Sequence, residues 1–347
     1  MHDPQQSNAD PARSERPTIE PSEAEPIRAN PNAPTKNPSI GGTTPTAQEL
    51  RVLDGLRLNP RKAFPGRIRG ERLTKRKGLS IEFADYRDYT DGDDLRHLDW
   101  NVLARLDSPV LKTYQDEEDL AVLVLLDCTS SMDFGDPTKF DEARRLTCAF
   151  AYVGLSGFDA VRGYALGTRE RPTPYFRRLS SYLRFSAWAS AQAVAESTGG
   201  SPSDSSESQP ARTRQGLSAS LRALAASSER VGLTIVLSDG LDPEAPQALR
   251  VLAGRGHEIA FVQVLSPLEE DPDLEGDLRL LDAETGAKVE ITANEGALRE
   301  YKRRLREHCG SLESACMRVG GRYEKVLCGE PLGDVFRRFR KKGWAVS

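Results

Sequence analysis

The sequence predicts an α/β protein with a doubly wound, mostly parallel sheet. The first observation is an apolar run at residues 121–126, AVLVLL, which ends in Asp127 and is typical of a strand buried on both faces. The second is a similar run at residues 231–240, VGLTIVLSDG, which includes Asp239 near its end. The third is the alternation of such strands with helical patterns, which predicts a parallel sheet covered on both faces.

The chain begins with a segment that we do not expect to fold. Residues 1–48 contain nine of the 22 prolines and almost no large apolar side chain, so they cannot bury enough surface to offset the entropy of ordering. We expect a disordered tail there. A proline-rich ligand for a partner is the alternative, although a clear P-x-x-P core is missing.

An upstream segment, residues 49–118, separates the tail from the α/β domain, residues 119–347. A short amphipathic helix is predicted at residues 46–58 and spans the start of this segment. Residues 61–77 then carry eight basic residues and one acid, and residues 82–99 carry seven acids and two arginines. The two blocks could pair with each other or form two faces of one site, while a solvated basic loop is the simpler interpretation of residues 61–77.

The α/β domain is predicted from its periodic pattern and its turn residues. After the strand at 121–126 we expect, in order, a helix at 139–156, strands at 161–167 and 174–179, helices at 180–196 and 214–227, a strand at 231–240, a helix at 245–254, a strand at 257–265, a hairpin at 278–292, a helix at 295–318, a strand at 322–328 and a helix at 331–340. We expect the Rossmann-type strand order 3-2-1-4-5-6, in which the first and fourth strands are neighbours.

Composition excludes several classes of function. The 347 residues carry a net charge of −4, which argues against a dedicated nucleic-acid-binding protein, including binding through residues 61–77. Five scattered cysteines without a C-x-x-C pair and only four histidines argue against a zinc site or a disulfide framework. The longest apolar run is too short to span a bilayer, and no signal peptide is visible, so we expect a cytoplasmic protein.

Oxygen-bearing side chains follow the first buried strand. Asp127, Thr129 and Ser131 lie at alternate positions of the loop, so their carboxylate and hydroxyl groups can turn towards one point. Asp239 follows the neighbouring strand, and ligands of doubly wound sheets bind at this carboxyl edge. Such a set suits a hard cation, Mg²⁺ or Mn²⁺, and offers no soft ligand for zinc or copper.

The pattern Asp127-x-Thr129-x-Ser131 followed by Met132 resembles the first motif of the metal-ion-dependent adhesion site in von Willebrand factor A domains. That resemblance implies that a threonine of a later loop and an aspartate after the fourth strand complete the site. Asp239 matches the aspartate, and Thr213 is the matching threonine, although the usual Gly-Gly-Thr context is missing.

Further motifs resemble the bacterial domain-of-unknown-function 58 family. FADYRDY at 83–89, GDDLRHLDW at 92–100 and Ala104-Arg105 are similar to the segment that precedes a von Willebrand A-like domain in that family. LLDAETG at 280–286 and GEPLGDVFRRF at 329–339 resemble one branch of the family. The resemblance implies a non-enzymatic protein that assists the assembly or maturation of complexes together with a MoxR-type AAA+ ATPase. An open position of the ion would accept an aspartate or glutamate of a protein partner. Many relatives have membrane helices, which this chain lacks.

Simpler interpretations stay open beside these. Asp127 and Asp239 could be helix N-caps, and Thr213 could cap a helix that begins near residue 214. Cys128 and Trp100 are expected to be core or packing residues.

The alternative function is a phosphohydrolase that resembles the haloacid dehalogenases, with Asp127 as the nucleophile and the stretch Asp239-Gly240-Leu241-Asp242 as the magnesium-binding motif. Thr129 stands where that chemistry needs a second acid. The sequence also contains no G-x-x-x-x-G-K-[ST] phosphate loop, so ATP use would have to come from a partner.

Overall fold

A computed structural model describes residues 44–62, 64, 83–90, 98–106, 108–114, 119–195, 216–281 and 288–346. Residues 1–43 of the expected tail, most of the basic block and Thr213 lie outside these residues. The elements in chain order are α1 (Ala47–Leu53), β1 (Arg57–Leu58), β2 (Phe83–Asp88), α2 (Trp100–Leu106), β3 (Val110–Tyr114), β4 (Ala121–Asp127), α3 (Lys139–Ser156), β5 (Ala160–Leu166), α4 (Tyr182–Ala191), α5 (Leu217–Ala226), β6 (Leu233–Ser238), α6 (Ala245–Gly254), β7 (Glu258–Leu265), α7 (Pro267–Glu270), β8 (Gly276–Leu281), β9 (Lys288–Ala293), α8 (Glu295–Arg318), β10 (Arg322–Leu327), α9 (Leu332–Lys341) and β11 (Ala345–Val346).

The central sheet contains five parallel strands in the order β10-β7-β6-β4-β5. The predicted α/β class and the predicted adjacency of β4 and β6 are confirmed. In the predicted numbering the observed order is 2-1-4-5-6, so the predicted order 3-2-1-4-5-6 is confirmed for five strands. The predicted edge strand is wrong, because residues 174–179 add no parallel strand. They contribute one antiparallel bridge, between Phe176 and Val161, and Pro172 and Pro174 leave this segment short of backbone donors.

The strand β4 lies in the middle of the sheet, and all of its seven residues are buried. Val122, Val124 and Leu126 contact a core formed with α1, α3 and α9 on one face. Leu123 and Leu125 contact a second core formed with α5, α6 and α8 on the other face. This alternation explains the continuous apolar run in the sequence, since both faces of the strand are covered.

The upstream segment shares the core of the α/β domain. The helix α1 begins with a capping box between Thr46 and Glu49, and its Leu53 is fully buried. The strand β1 pairs with β11 at the other end of the chain. The backbone amides of Arg61 and Lys62 donate to the buried carboxylate of Glu258, at the start of β7. These contacts fix the first part of this segment to the sheet.

The sequence did not predict the antiparallel pair β2–β3 or the helix α2. Asp99 accepts hydrogen bonds from the amides of Asn101 and Val102, which is a capping role. Trp100 is 61% exposed, so its predicted packing role is wrong. The predicted hairpin is confirmed as the antiparallel pair β8–β9. None of the helices in the described ranges has the length and apolar composition needed to cross a bilayer.

Candidate metal site

The carboxyl ends of β4 and β6 bring two predicted site residues together. The register pairs Leu126 with Leu237, so Asp127 and Ser238 follow side by side. The amide of Asp239 donates to the sulfur of Met132 at 3.3 Å, which joins the loop after β6 to the loop after β4. The predicted proximity of Asp127 and Asp239 at one edge of the sheet is therefore confirmed.

The carboxylate of Asp127 is held by hydrogen bonds from both loops. Its Oδ1 accepts from the amide of Thr129 at 2.9 Å, and its Oδ2 accepts from the hydroxyl of Ser238 at 2.5 Å. A single 3₁₀ turn, Ser130–Met132, follows and brings Thr129 Oγ1 to 3.1 Å from Ser131 Oγ. One carboxylate and two hydroxyls thus lie within one short stretch of chain.

Burial raises the pKa of Asp127 from its ordinary value of 3.8 to about 6, and the negative charge of Asp239 adds to this effect. The hydrogen bonds from Ser238 and Thr129 oppose the rise, because they stabilise the ionised carboxylate. Asp127 is only 1% exposed, so solvent does not screen the two carboxylates from each other. A cation between them would relieve this repulsion.

Asp239 has a different set of partners. Its Oδ1 accepts from the amide of Leu241 at 3.2 Å, and its Oδ2 accepts from the ammonium of Lys139 at 2.8 Å. The same ammonium donates to Glu269 Oε1 at 2.6 Å. Burial alone would lower the pKa of Lys139, but the charges of Asp239 and Glu269 outweigh that effect and raise it. The ammonium is therefore charged.

Sequence reasoning missed Lys139 and Glu269, and one signal pointed to the lysine. Lys139 is the first residue of α3, where the helix dipole disfavours a cation. Nearby carboxylates are expected for a lysine at such a position, because they offset its unfavourable interaction with the helix dipole. Glu269 gave no comparable signal, since it belongs to a local capping box with Ser266.

The loop after β6 is fixed from its far side. The Nε2 of His308 on α8 donates to the carbonyl of Gly240 at 2.7 Å, and the side-chain amide of Gln263 donates to the carbonyl of Asp239 at 2.7 Å. Gly240 has a φ of 65°, and a Cβ there would lie 2.6 Å from Leu312. Glycine is therefore required at the turn that orients Asp239.

The simpler interpretations of these residues are that they cap helices or, for Cys128, that it packs in the core. Thr213, the predicted fifth ligand, lies outside the described residues, so its predicted capping role is not tested, and the N-cap position of α5 is Gly216. Asp127 and Asp239 are not helix N-caps either, because each accepts from the amide two residues further on, as in an Asx turn. Cys128 is buried in the core as expected.

The ligand types decide which ion could fit. Within the described ranges, no three His, Cys, Asp or Glu side chains form a group that could hold a metal. Any ion here would therefore need the hydroxyls of Thr129 and Ser131 as well as the carboxylates. Neighbouring ligands of an octahedral Mg²⁺ are separated by about 3 Å, given a metal–oxygen distance of about 2.1 Å. The observed 3.1 Å between the two hydroxyls fits that spacing.

A separate cavity of about 490 Å³ lies between α8 and β10. Its lining includes Lys302, Cys309, Tyr323 and Lys325, and none of the five predicted site residues.

Comparisons with known proteins give one family. The family model described as "Protein of unknown function DUF58" matches residues 85–310. The uncharacterized proteins Rv1480 of Mycobacterium tuberculosis and Mb1516 of Mycobacterium bovis are each 28% identical over 266 residues, which is 76% of this chain and 78% of theirs.

Two solved structures are also similar. The hypothetical protein BatB of Bacteroides thetaiotaomicron has 14% identity and a TM-score of 0.38, over 64% of this chain and 98% of that chain. An aerotolerance-related membrane protein of Bacteroides fragilis has 14% identity and a TM-score of 0.35, over 64% of this chain and 97% of that chain.

Proposed function

This chain belongs to the DUF58 family, and for it we propose the function of a divalent-metal-dependent protein-interaction module. The ion would be Mg²⁺ or Mn²⁺, held by Asp127, Thr129, Ser131 and Asp239, with Thr213 as a further ligand. The carrying observation is that Asp127, Thr129 and Ser131 are joined by hydrogen bonds after β4, and that Asp239 follows the adjacent strand with its amide bonded to Met132 of the same loop.

The charge of the cluster supports a divalent cation. Asp127, Asp239 and Glu269 contribute three negative charges, and Lys139 contributes one positive charge. The remaining charge of −2 is largely buried, which is costly without a counter-ion. One divalent ion would neutralise it. When bound, the ion would supply an open coordination position that a carboxylate of a partner can fill.

Exposed apolar side chains at the same edge favour a protein partner over a small substrate. Phe134, Leu241 and Leu268 are 46%, 38% and 56% exposed. Leu241 follows the Asp239 turn, Leu268 precedes Glu269, and the Phe134 ring lies 5.8 Å from the ammonium of Lys139. Apolar side chains around a charged centre are typical of interaction surfaces. A partner's Asp or Glu would enter between them.

The alternative phosphohydrolase receives no support from the site. Both oxygens of Asp127 accept hydrogen bonds and the side chain is buried, so it is poorly placed to attack a phosphorus atom. Asp242 accepts from the amides of Ser218 and Glu244, so it is engaged in capping and not in the cluster. We therefore propose a non-enzymatic role. Turnover of p-nitrophenyl phosphate that disappears in Asp127→Asn would overturn it.

The finer parts of the proposal come from the family resemblance of the sequence motifs. We propose a von Willebrand A-like domain and a MoxR-type AAA+ ATPase as the partner in complex assembly. The ATPase fits a chain whose own sequence has no phosphate loop.

The metal part is tested by titrating Mn²⁺ into the full chain and following free Mn²⁺ by electron paramagnetic resonance. We expect one site in the wild type, none in Asp127→Ala, and at least about tenfold weaker binding in Ser131→Ala, because one ligand is lost. The matched control is Ser130→Ala, which removes a neighbouring hydroxyl outside the proposed ligand set and should bind like wild type. Failure of the wild type to bind would overturn the metal part.

The partner part is tested with the purified MoxR-type ATPase of the same organism. We expect a complex in Mg²⁺ that dissociates in EDTA and does not form with Asp127→Ala. A complex that forms equally well with EDTA and with the variant would contradict a metal-bridged interface.

A further inference from the structure

Lys139 is a buried ammonium beside the proposed metal ligands. Its side chain is 0% exposed, and lysine is almost never fully buried unless it is paired. It forms ion pairs with Asp239, which follows β6, and with Glu269, on the short helix after β7. The lysine thus joins the loops that follow two neighbouring strands.

The position of this lysine is unfavourable for a purely structural residue. It is the first residue of α3, where the positive end of the helix dipole faces the ammonium. Burial removes its hydration, and a hydrophobic side chain of similar volume would avoid that cost. The structure offers a reason for the charge, because the ammonium contacts a carboxylate that an ion would also use.

We infer that Lys139 is a resident cation that competes with the divalent ion at Asp239, limiting the site to one divalent ion and weakening its binding. This inference rests on the proposed function. The ammonium occupies Oδ2 of Asp239 and reduces the charge of the carboxylate cluster from −3 to −2. An ion that engages Asp239 would share its carboxylate with the ammonium, either at Oδ2 or at Oδ1 beside the amide of Leu241.

A resident cation has a consequence for the metal-free protein. Without it, the carboxylates of Asp239 and Glu269 would lose the positive charge that lies between them. Lys139 therefore keeps Asp239 and Glu269 in place when no ion is bound. It is a positioning residue, and it acts through Asp239.

Charge-balanced variants test this inference by Mn²⁺ titration of the full chain. Lys139→Met keeps an unbranched chain and removes the charge, so we expect Mn²⁺ to bind at least about tenfold more tightly. Glu269→Gln lowers the negative charge and should weaken binding by a similar factor. The matched control is the double variant Lys139→Met/Glu269→Gln, which restores the wild-type charge of −2 and should restore the wild-type affinity.

The outcomes separate this inference from the proposed function. If the wild type binds Mn²⁺ and neither single variant changes the affinity, the inference fails and the proposed function stands. If only Lys139→Met binds, the wild type has no bound ion for Lys139 to weaken, and the metal part of the proposed function and the inference both fail. If none of the variants binds Mn²⁺, both fail. Should Lys139→Met not fold, Glu269→Gln decides, since an unchanged affinity in that variant overturns the inference.

Discussion

Replacement of Asp127 by asparagine should change how the stability of the metal-free protein depends on pH. The pKa of Asp127 is raised in the folded protein to about 6 by burial and by the charge of Asp239, whereas the unfolded chain has the ordinary value of 3.8. The folded state therefore binds the proton more tightly. The resulting stabilisation is complete below pH 3.8 and is lost as the pH rises through 6.

The magnitude follows from the two pKa values. A difference of about two pH units corresponds to about 3 kcal/mol between the limits of low and high pH. Within the accessible range, the wild type should gain about 1.4 kcal/mol of unfolding free energy on going from about pH 8 to about pH 5. An asparagine side chain carries no ionisable group, so the variant Asp127→Asn should lack this contribution and retain that of the groups that do not interact with Asp127.

The assay is urea unfolding of both proteins in EDTA, followed by circular dichroism at several values of pH. The quantity of interest is the unfolding free energy of the wild type minus that of Asp127→Asn, which cancels the titrating groups that do not interact with Asp127. A difference that stays constant from about pH 5 to about pH 8 would refute the reasoning. At about pH 8, Mg²⁺ at about 100 times its Kd should stabilise the wild type by about 2.7 kcal/mol and leave the variant unchanged.

Three further predictions concern packing and the interaction surface. Leu53→Ala should lower the unfolding free energy measured in urea by about 2 to 5 kcal/mol, because it leaves a cavity at a buried position. The control is Val52→Ala at the exposed neighbouring position, which should change it by less than about 0.5 kcal/mol. Equal losses in the two variants would contradict the role of α1 in the core. Gly240→Ala should destabilise the fold by about 1 to 3 kcal/mol and weaken Mn²⁺ binding, since its Cβ would press on Leu312; unchanged titrations would refute this. Phe134→Ser should leave the urea midpoint unchanged and weaken the complex with the ATPase in sedimentation; an unaltered complex would remove this residue from the proposed interface.

The sequence predicted the periodic parts of the fold well. The helices predicted at 139–156, 245–254 and 295–318 have the same bounds as α3, α6 and α8, because each combines an apolar stripe with a clear start and end. It did not predict β2, α2 and β3, whose short, charged segments carry no period. The five parallel strands have the predicted order, and the error is the edge strand predicted at 174–179, which forms only one antiparallel bridge.

For the site, sequence reasoning identified the residues that lie close together along the chain and missed those that only the fold brings near. Asp127, Thr129 and Ser131 lie within one short loop, and Asp239 was placed beside them by strand adjacency. Glu269 is separated from Lys139 by 130 positions and reaches it only because α7 follows a neighbouring strand. No local pattern encodes that contact.

The local hydrogen bonds of Asp127 and Asp239 explain only part of why aspartates occur at these two strand ends. Each accepts a backbone hydrogen bond from two residues further on, which fixes the carboxylate. An asparagine could form the same bond without placing a charge in the interior. The local bond therefore explains the orientation of Asp127 and Asp239 and does not explain their charge. Lys139 balances one of the three negative charges at this edge, and a divalent cation is the partner that would balance the other two.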